Sequence, residues 1–534
     1  MPVFNGGDEI VDNVGVIQRA VAEGLRAEDL EVIVVSDGSM DDTAERLLEA
    51  RADLRIRLIH YDRNLGKGYA VKLGALAARG DWIALVDADL DLDPAAIPAY
   101  VDLARREGLD FAIGSKRHPD SVVDYPPSRR VASWCYQQLN RALFGLDVRD
   151  TQVGLKVFSR DVVQEVMPLL LVKQFAFDLE LLAVATALGR GRIRELPVRL
   201  DYRYSGSSLG SAAVVRALVD TAAVFYRLRI LRTYQRKRQL LGSRQLPPLE
   251  TLPLVSLVGD PAAVDLLDYP CLEVAAGGSR EEAARAATGE VLAVLAPGAR
   301  PAGNWVSASI PYLFEEDVAA VVCPTLTPHG VPLRQGVAAA VLESRLGAGS
   351  RRIRYLPGNV RTLGDHEAAS VVVRRAEYLE ALERGIAGDR LVAWLAGRGK
   401  RTIYTPDSSV SLLPPPLVRP HLAATAAYAR TRGAVARASR GASLSGSTAM
   451  SVGPAAGAVA GALLLLAGGR GHRAGSLLVL AYAAMLAISG LHAAVRFRSP
   501  TVGLLQPPAV IATHAAYLSG FLRGLLGPSS PPGG

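Results

Sequence analysis

The chain has 534 residues, 49% of them apolar, and a formal net charge of +8, which bounds it at about two or three domains with ample core. Its three cysteines, Cys135, Cys271 and Cys323, are odd in number and far apart, so neither a disulfide framework nor a zinc site is expected, and the usage fits a reducing cytosol. Much of the arginine lies beside apolar segments, in 227–238 and 419–440, which suits an anionic membrane surface or phosphate-bearing substrates; no helix-turn-helix, zinc-finger or aromatic RNA-binding signature appears, so no nucleic acid partner is expected.

From the N-terminus, PVF (2–4) reads as the end of a buried strand whose earlier residues lie upstream, or as an unusually short strand, with no signal peptide expected before the fold. Strands are expected at EVIVVS (31–36), IRLIHY (56–61), DWIALVD (81–87) and DFAIGS (110–115), separated by helical patterns such as 41–52 and 69–80. That alternation implies a mostly parallel sheet covered by helices on both faces. An amphipathic, arginine-rich helical region follows at 205–240, read as a membrane-surface element or a solvated helix hairpin. Residues 241–251 form a linker, and a second α/β pattern occupies 252–412. A basic connector (413–448) leads to two apolar segments, about 450–469 and 474–495, each near the ~20 residues that span a bilayer. They are read as a transmembrane hairpin over 449–497 linked at 470–473, or as a buried hairpin of a soluble bundle. Arg430, Arg432, Arg437, Arg440, Arg496 and Arg498 flank the pair, so both its ends are expected in the cytosol. An interfacial helix (503–527) and a disordered tail (528–534) complete the chain.

Three local patterns carry chemistry. In VVSDGSMDDT (34–43) an apolar strand ends in Asp37-Gly38-Ser39; a carboxylate there can bond a base or ribose, and the same residues would equally cap a helix. In NLGKGYAVKLGA (64–75) two glycines and Lys67 open a helix whose N-terminus attracts phosphate. In VDADLDLD (86–93) four aspartates fall at alternate positions. Like charges on one strand face repel, so a divalent cation or a solvated turn must hold them. A hard cation shared between carboxylates and substrate phosphates suits Asp87 and Asp89.

Taken in this order, the patterns resemble the family-2 inverting glycosyltransferases of GT-A (nucleotide-diphospho-sugar transferase, Rossmann-like) fold, and within them the polyprenyl-phosphate sugar transferases. GSKRHPDS (114–121), PPSRRVAS (126–133), DTQVGLKVF (150–158), FDLELL (177–182) and RELPVRL (194–200) sharpen the likeness. DTQVGLK is similar to a stretch of dolichyl-phosphate β-glucosyltransferases. The resemblance covers about 1–235 and assigns 1–204 as the catalytic domain. It implies donor binding by Pro2, Phe4, Asn5, Asp37, Ser39, Asn64, Lys67, Asp87, Ala88 and Asp89. It implies Mg²⁺ or Mn²⁺ on Asp87, Asp89 and Asp91, and acceptor phosphate on Lys116, Arg117, Arg130 and Ser133. Asp150, Gln152 and Asp89 would line the reaction centre. Two departures stand out. The family's Pro-x-Tyr-Asn-Glu is Pro2-Val3-Phe4-Asn5-Gly6 here, and its Asp-Asp-Gly-Ser is Ser36-Asp37-Gly38-Ser39.

The implied reaction moves a hexose, glucose favoured, from UDP-glucose or else GDP-mannose to a polyprenyl (dolichyl or undecaprenyl) phosphate at the cytoplasmic membrane face. The metal stabilises the leaving diphosphate. A lipid phosphate is already anionic, so it needs arginines to hold it in line more than it needs a base, and direct displacement inverts the anomeric centre. Asp150 is expected to orient acceptor or sugar. Two other readings remain open: transfer to a lipid or glycan hydroxyl, with Asp389 or Asp150 as base, and a non-catalytic membrane scaffold. No QxxRW motif occurs, which argues against a processive synthase.

The second α/β pattern also resembles the family, at 284–305 and 388–410. Where the family has its acidic motif, this stretch has Ala296-Pro297-Gly298-Ala299. Residues 252–412 are therefore expected to be a degenerate GT-A-like domain without donor binding, available to a protein partner or to position the lipid.

Overall fold

The computed structural model describes residues 1–25, 29–121, 127–174, 176–199, 211–241, 247–364, 366–386, 388, 390–438, 446–466 and 469–527. It divides into two compact units. The first comprises Met1–Cys323 with Asn359–Val410, and the second comprises Pro324–Gly358 with Ser411–Gly534.

The first half of the first unit holds two small sheets. One is parallel, β1 (Pro2–Val3), β2 (Val32–Asp37) and β3 (Ile56–Tyr61), in that order. The other runs β4 (Trp82–Leu85), β6 (Lys156–Ser159), β5 (Phe111–Ser115), β7 (Ile193–Pro197), with β6 antiparallel to β4 and β5, and β5 parallel to β7. β5 is buried along its whole length, as its apolar run requires of a strand covered on both faces. Helices α1 (Ile10–Ala22), α2 (Thr43–Ala50), α3 (Lys67–Ala77), α4 (Ile97–Glu107), α5 (Pro127–Phe144), α6 (Arg160–Glu165) and α7 (Phe177–Ala187) lie between the strands in sequence. α1 and α4 share a core with β5 and β6 through Ile17, Val21, Ile97, Tyr100, Ala112 and Val157. α3 and α7 share another through Val71, Ala75, Phe111, Phe158 and Leu179–Ala185. Gly108 ends α4 at φ +61, the left-handed closure that glycine permits.

β1 is two residues long. Its ladder is carried on by Val35 N–H donating to Met1 O (2.8 Å) and by the Met1 ammonium donating to Ile33 O (2.9 Å). Burial lowers that ammonium to a pKa of about 6. A cavity of about 560 Å³ lies between β2 and β4, lined by Met1, Ile33, Val35, Ala75, Trp82 and Leu85 among others. The strand expected to run to Asp87 stops at Leu85, and Ala88 and Asp89 form a turn. The carboxylates therefore never share a strand face, and Leu90 takes the left-handed conformation at φ +58, uncommon for a side chain of its size.

Of the region expected as amphipathic helices, 205–210 lies outside the described residues. The rest is α8 (Ser211–Phe225), a π-helical turn (Tyr226–Ile230) and α9 (Thr233–Leu241). Val224, Leu228 and Tyr234 face the core, whereas Val215, Leu218, Val219, Tyr226 and Ile230 are exposed.

The second half of this unit has one seven-stranded sheet, ordered Arg361–Leu363, Arg401–Tyr404, Val318–Val322, Val371–Arg374, Val291–Val294, Val255–Val258, Leu272–Val274. Val371–Arg374 is antiparallel to both neighbours, and Val291–Val294 is parallel to Val255–Val258. Taken in chain order, this repeats the pairing of β2 with β1 and the succession β4-β6-β5-β7. Among the described residues no counterpart of β3 is present.

The second unit is helical. Arg419–Ala438, Gly446–Leu466, Gly469–Arg496 and Pro500–Leu526 are its long helices. Gly520 and Gly524 press on the backbone of the first of these: a Cβ there would lie 2.2 Å from Ala426 O and 2.0 Å from Arg430 O, the small-residue contact common between apolar helices. Among the described residues, two helices are long and apolar enough to cross a membrane, Gly471–Arg496 and Pro500–Leu526. Residues 470–473, expected as the link, are helical. The tail expected as an interfacial helix falls on Pro500–Leu526, which runs through Pro507 and Pro508. Tail residues 528–534 lie outside the described residues.

Candidate functional site

The chemistry-bearing residues gather where β2, β4 and β5 end, the edge at which open α/β sheets receive ligands. Asp37 closes β2 and is 3% exposed. Its oxygens accept from Tyr61 Oη (2.8 Å), Leu65 N (2.7 Å) and Gly66 N (2.9 and 3.2 Å). Burial raises its pKa to about 6 against the pull of these donors. A carboxylate so enclosed braces the 64–66 turn. Gly38 is required beside it: at φ +63, a Cβ would meet Arg63 C at 2.1 Å and Asn64 N at 2.2 Å.

Lys67 opens α3 and places its ammonium 2.7 Å from both oxygens of Asp87. Burial works against that charge, but Asp87, Asp178 and Asp89 outweigh it and hold the pKa above the ordinary lysine value. Behind this pair, fully buried Lys156 lies 2.8 Å from Asp178 Oδ1 and donates to Val153 O. Gly154 lets Asp87 sit against the 150–154 loop, since a Cβ there would fall 2.3 Å from Asp87 Oδ2. The first acidic motif and the later DTQVG stretch therefore meet. Asp89 is exposed and accepts from Asp91 N at 3.2 Å. Partial burial, then the Asp89 charge, raise the Asp91 pKa, with Lys116 pulling the other way and Asp87 adding to the rise. Clustered carboxylates with one raised pKa form a donor set that fits a hard cation. Among the described residues no group of three or more Asp, Glu, His or Cys gathers as a preformed cage. Asp93 belongs to the fold: it accepts from Ala95 N (2.9 Å) and caps the turn at Pro94.

Beyond the end of β5, Asp150 Oδ2 accepts from Lys116 N (3.2 Å) and Oδ1 from Gln152 N (3.1 Å). Glu195 Oε1 in turn accepts from Arg149 N and Asp150 N. Arg117 donates to Gln137 Oε1 of α5 (2.5 Å) and to Arg149 O (3.2 Å), so it ties α5 to this loop. Gln152 is exposed and Ser133 half-buried. The Arg130 side chain and Asp389 lie outside the described residues.

The N-terminal loop joins the same edge. Asn5 (φ +51) donates its N–H to Ser39 Oγ (3.1 Å) and accepts from Met40 N (2.9 Å). Gly6 N and Gly7 N donate to Thr43 Oγ1, and Asn13 Nδ2 donates to Ala88 O (3.1 Å). Pro2 pairs with Val35 in the ladder, Phe4 is exposed and Asn64 is half-buried in its turn. Tyr61, Thr43, Asn13, Lys156, Asp178 and Glu195 were not singled out from the sequence. Lys156 and Asp178 do lie inside quoted stretches, where a lysine and an aspartate amid apolar residues are the visible signal.

The strand order and the acidic turn after β4 define a GT-A-like α/β domain, and residues 1–167 match the family described as glycosyl transferase family 2. That segment is a family-2 glycosyltransferase domain. The glycosyltransferase AglD of Haloferax volcanii is 36% identical over 201 residues, 37% of this chain and 32% of its own. The dolichyl-phosphate beta-glucosyltransferase of Dictyostelium discoideum is 31% identical over 167 residues, 30% of this chain and 51% of its own. The dodecaprenyl-phosphate galacturonate synthase of Rhizobium johnstonii is 29% identical over 235 residues, 43% and 66%. The chain thus spans from a third to two thirds of the length of these relatives.

Proposed function

We propose that the first domain transfers a hexose from a nucleoside diphosphate sugar to a polyprenyl phosphate, with inversion, and that UDP-glucose is its donor ahead of GDP-mannose. The observation that carries this reading is the convergence of Asp87, held by Lys67, exposed Asp89 and the Lys116–Asp150 pair at one sheet edge. Two of the relatives reported above are named for sugar transfer to dolichyl or dodecaprenyl phosphate. Asp87 and Asp89, with Asp91 beside them, would hold Mg²⁺ or Mn²⁺, which when bound neutralises charge on the departing diphosphate.

This chain's own residues do the rest. Lys67 balances Asp87 until the diphosphate arrives and then lies where that anion must sit. Lys116, on the loop that Asp150 fixes, supplies positive charge to the acceptor phosphate, and Arg117 locks the same loop to α5. Asp150 already accepts two backbone N–H bonds, which favours orientation over proton abstraction and so an anionic acceptor over a hydroxyl.

The helices Gly471–Arg496 and Pro500–Leu526 support membrane anchorage. The exposed apolar face of α8, with Arg227, Arg229 and Arg232 following it, suits a lipid surface. The second half of the first unit we read as a duplicated transferase fold that has lost its donor carboxylates.

The test uses detergent-solubilised protein, Mg²⁺ or Mn²⁺ and undecaprenyl phosphate, with labelled UDP-glucose and GDP-mannose in parallel. Label entering the lipid phase from UDP-glucose, and lost in Asp89→Ala, is the expected result. Transfer from neither donor would overturn the reading.

A further inference from the structure

Helix α3 lies between the donor-site carboxylates and a loop of the second domain, whose own turn at 296–299 carries no carboxylate. Its N-terminal Lys67 holds Asp87. Tyr69 and Lys72 are three residues apart, hence on one helix face, and both meet that loop. Tyr69, 3% exposed, donates its hydroxyl to Pro406 O at 2.7 Å. The Lys72 ammonium lies 2.8 Å from Asp407 Oδ1, and both side chains are 8% exposed. Asp407 Oδ1 receives no directed hydrogen bond among the described residues, so the ammonium charge is what balances it.

The loop is itself fixed. Asn304, 3% exposed, donates Nδ2–H to Asp407 O (2.9 Å) and accepts from Ser408 Oγ (3.0 Å), while Asp407 N–H donates to Thr405 Oγ1 (3.2 Å). From α3 the contact continues inward. The Tyr69 ring meets Tyr61 edge-on at 5.5 Å and 83°, and Tyr61 Oη donates to Asp37. Taking an ion pair out of water costs several kcal/mol per ion by general estimates, so such a pair is poor evidence for stability and better evidence for a fixed geometry.

We propose that the second domain serves the donor site as a brace. Pro406 O and Asp407 set the rotation and depth of α3, and through it keep Lys67 on Asp87 and Tyr61 on Asp37 in the geometry that receives the nucleoside diphosphate. Asp407, Lys72 and Tyr69 are positioning residues; none touches the donor. A domain that lacks the acidic turn of the first thereby contributes to donor affinity there. The inference rests on the donor assignment of the proposed function.

The test measures UDP binding in the presence of Mn²⁺ by calorimetry, and donor and acceptor KM, on the full chain in detergent. Asp407→Asn keeps the shape and removes the charge; it should weaken UDP binding and raise donor KM at least about fivefold, within the usual range of coupling between sites. Acceptor KM and kcat should stay near wild type. Tyr69→Phe removes one neutral hydrogen bond and should raise donor KM roughly threefold; it carries the test if Asp407→Asn does not fold. Donor KM unchanged in the folded variants, with only Tm or the amount of active protein reduced, would overturn the brace while leaving the proposed function intact. Wild-type protein that binds neither UDP nor GDP would overturn both.

Discussion

In the sheet of the second half, Val291–Val294 occupies the place that β4 holds in the first half. The residues two and four past its end are Ala296 and Gly298; those past β4 are Asp87 and Asp89. Ala296 is 8% exposed and donates its N–H to Ser370 Oγ (3.1 Å), so the turn is closed by a neutral bond, where the first half places Lys67 against a carboxylate. Both sheets keep the same apolar strands and the same antiparallel member. A strand needs burial and a ladder, and those survive the loss of the acidic side chains from the turn that follows it. The site lives in the turns, which can change without disturbing the layers beneath.

The sharpest break between the two halves is the acidic turn. Asp89→Ala should lower sugar transfer by about 100–1,000-fold, the usual cost of removing one group that stabilises developing charge. Ala296→Asp in the second half should create no activity and should lower Tm, because the new carboxylate is buried with no cation beside it. Lipid-extracted label and thermal unfolding measure the two. Transfer that survives Asp89→Ala would place the reaction elsewhere.

A second contrast is pH dependence. β2 ends in buried Asp37, whereas Leu272–Val274 is followed by Ala275-Ala276. The folded Asp37 pKa of about 6 lies above the ordinary aspartate value, and burial is the chief cause. Folding therefore takes up a proton here, and the group's contribution to stability falls as the pH rises from 4 to 6. Wild type should lead Asp37→Asn by more at pH 4.5 than at pH 7, the difference being on the order of 2–3 kcal/mol at most. Urea midpoints at the two pH values check it. A lead that grows with pH would mean that Tyr61 and the 65–66 backbone stabilise the charge more than burial penalises it.

The first half was readable because its motifs are local. An apolar strand followed by Asp-Gly-Ser or Asp-Ala-Asp announces both the sheet and its ligand edge in a few residues. The expected strands at 31–36 and 56–61 fall within one residue of β2 and β3. What escaped was non-local or geometric. Lys156 and Asp178 pair across two elements, Glu195 reaches back to Arg149 and Asp150, and Tyr61 turns Asp37 inward; no spacing rule links such residues. The strand end was misplaced at Asp87 because alternation continues past Leu85 in the sequence, while charge repulsion and the left-handed Leu90 end it in the fold. The link was placed at 470–473 because Arg470-Gly-His-Arg473 looks like a turn, although in the fold those residues belong to the helix Gly469–Arg496.

The smallest expected effect falls on the acceptor side of the first half. Asp150 was expected to orient acceptor or sugar. Its two oxygens accept from the N–H groups of Lys116 and Gln152, and Glu195 Oε1 accepts from Asp150 N. Asp150→Asn leaves one acceptor and turns an amide donor toward one of those N–H groups. A hydrogen bond to a charged group is worth about 1.5–3 kcal/mol, and an exposed loop recovers part of that through water. Acceptor kcat/KM should therefore fall roughly tenfold with donor KM unchanged, and the pH–rate profile should keep its shape. A general base would behave differently: the variant would lose about 100–10,000-fold and its acidic limb would vanish. The split between acceptor and donor parameters, read together with the profile, decides between a carboxylate that shapes the Lys116 loop and one that takes a proton.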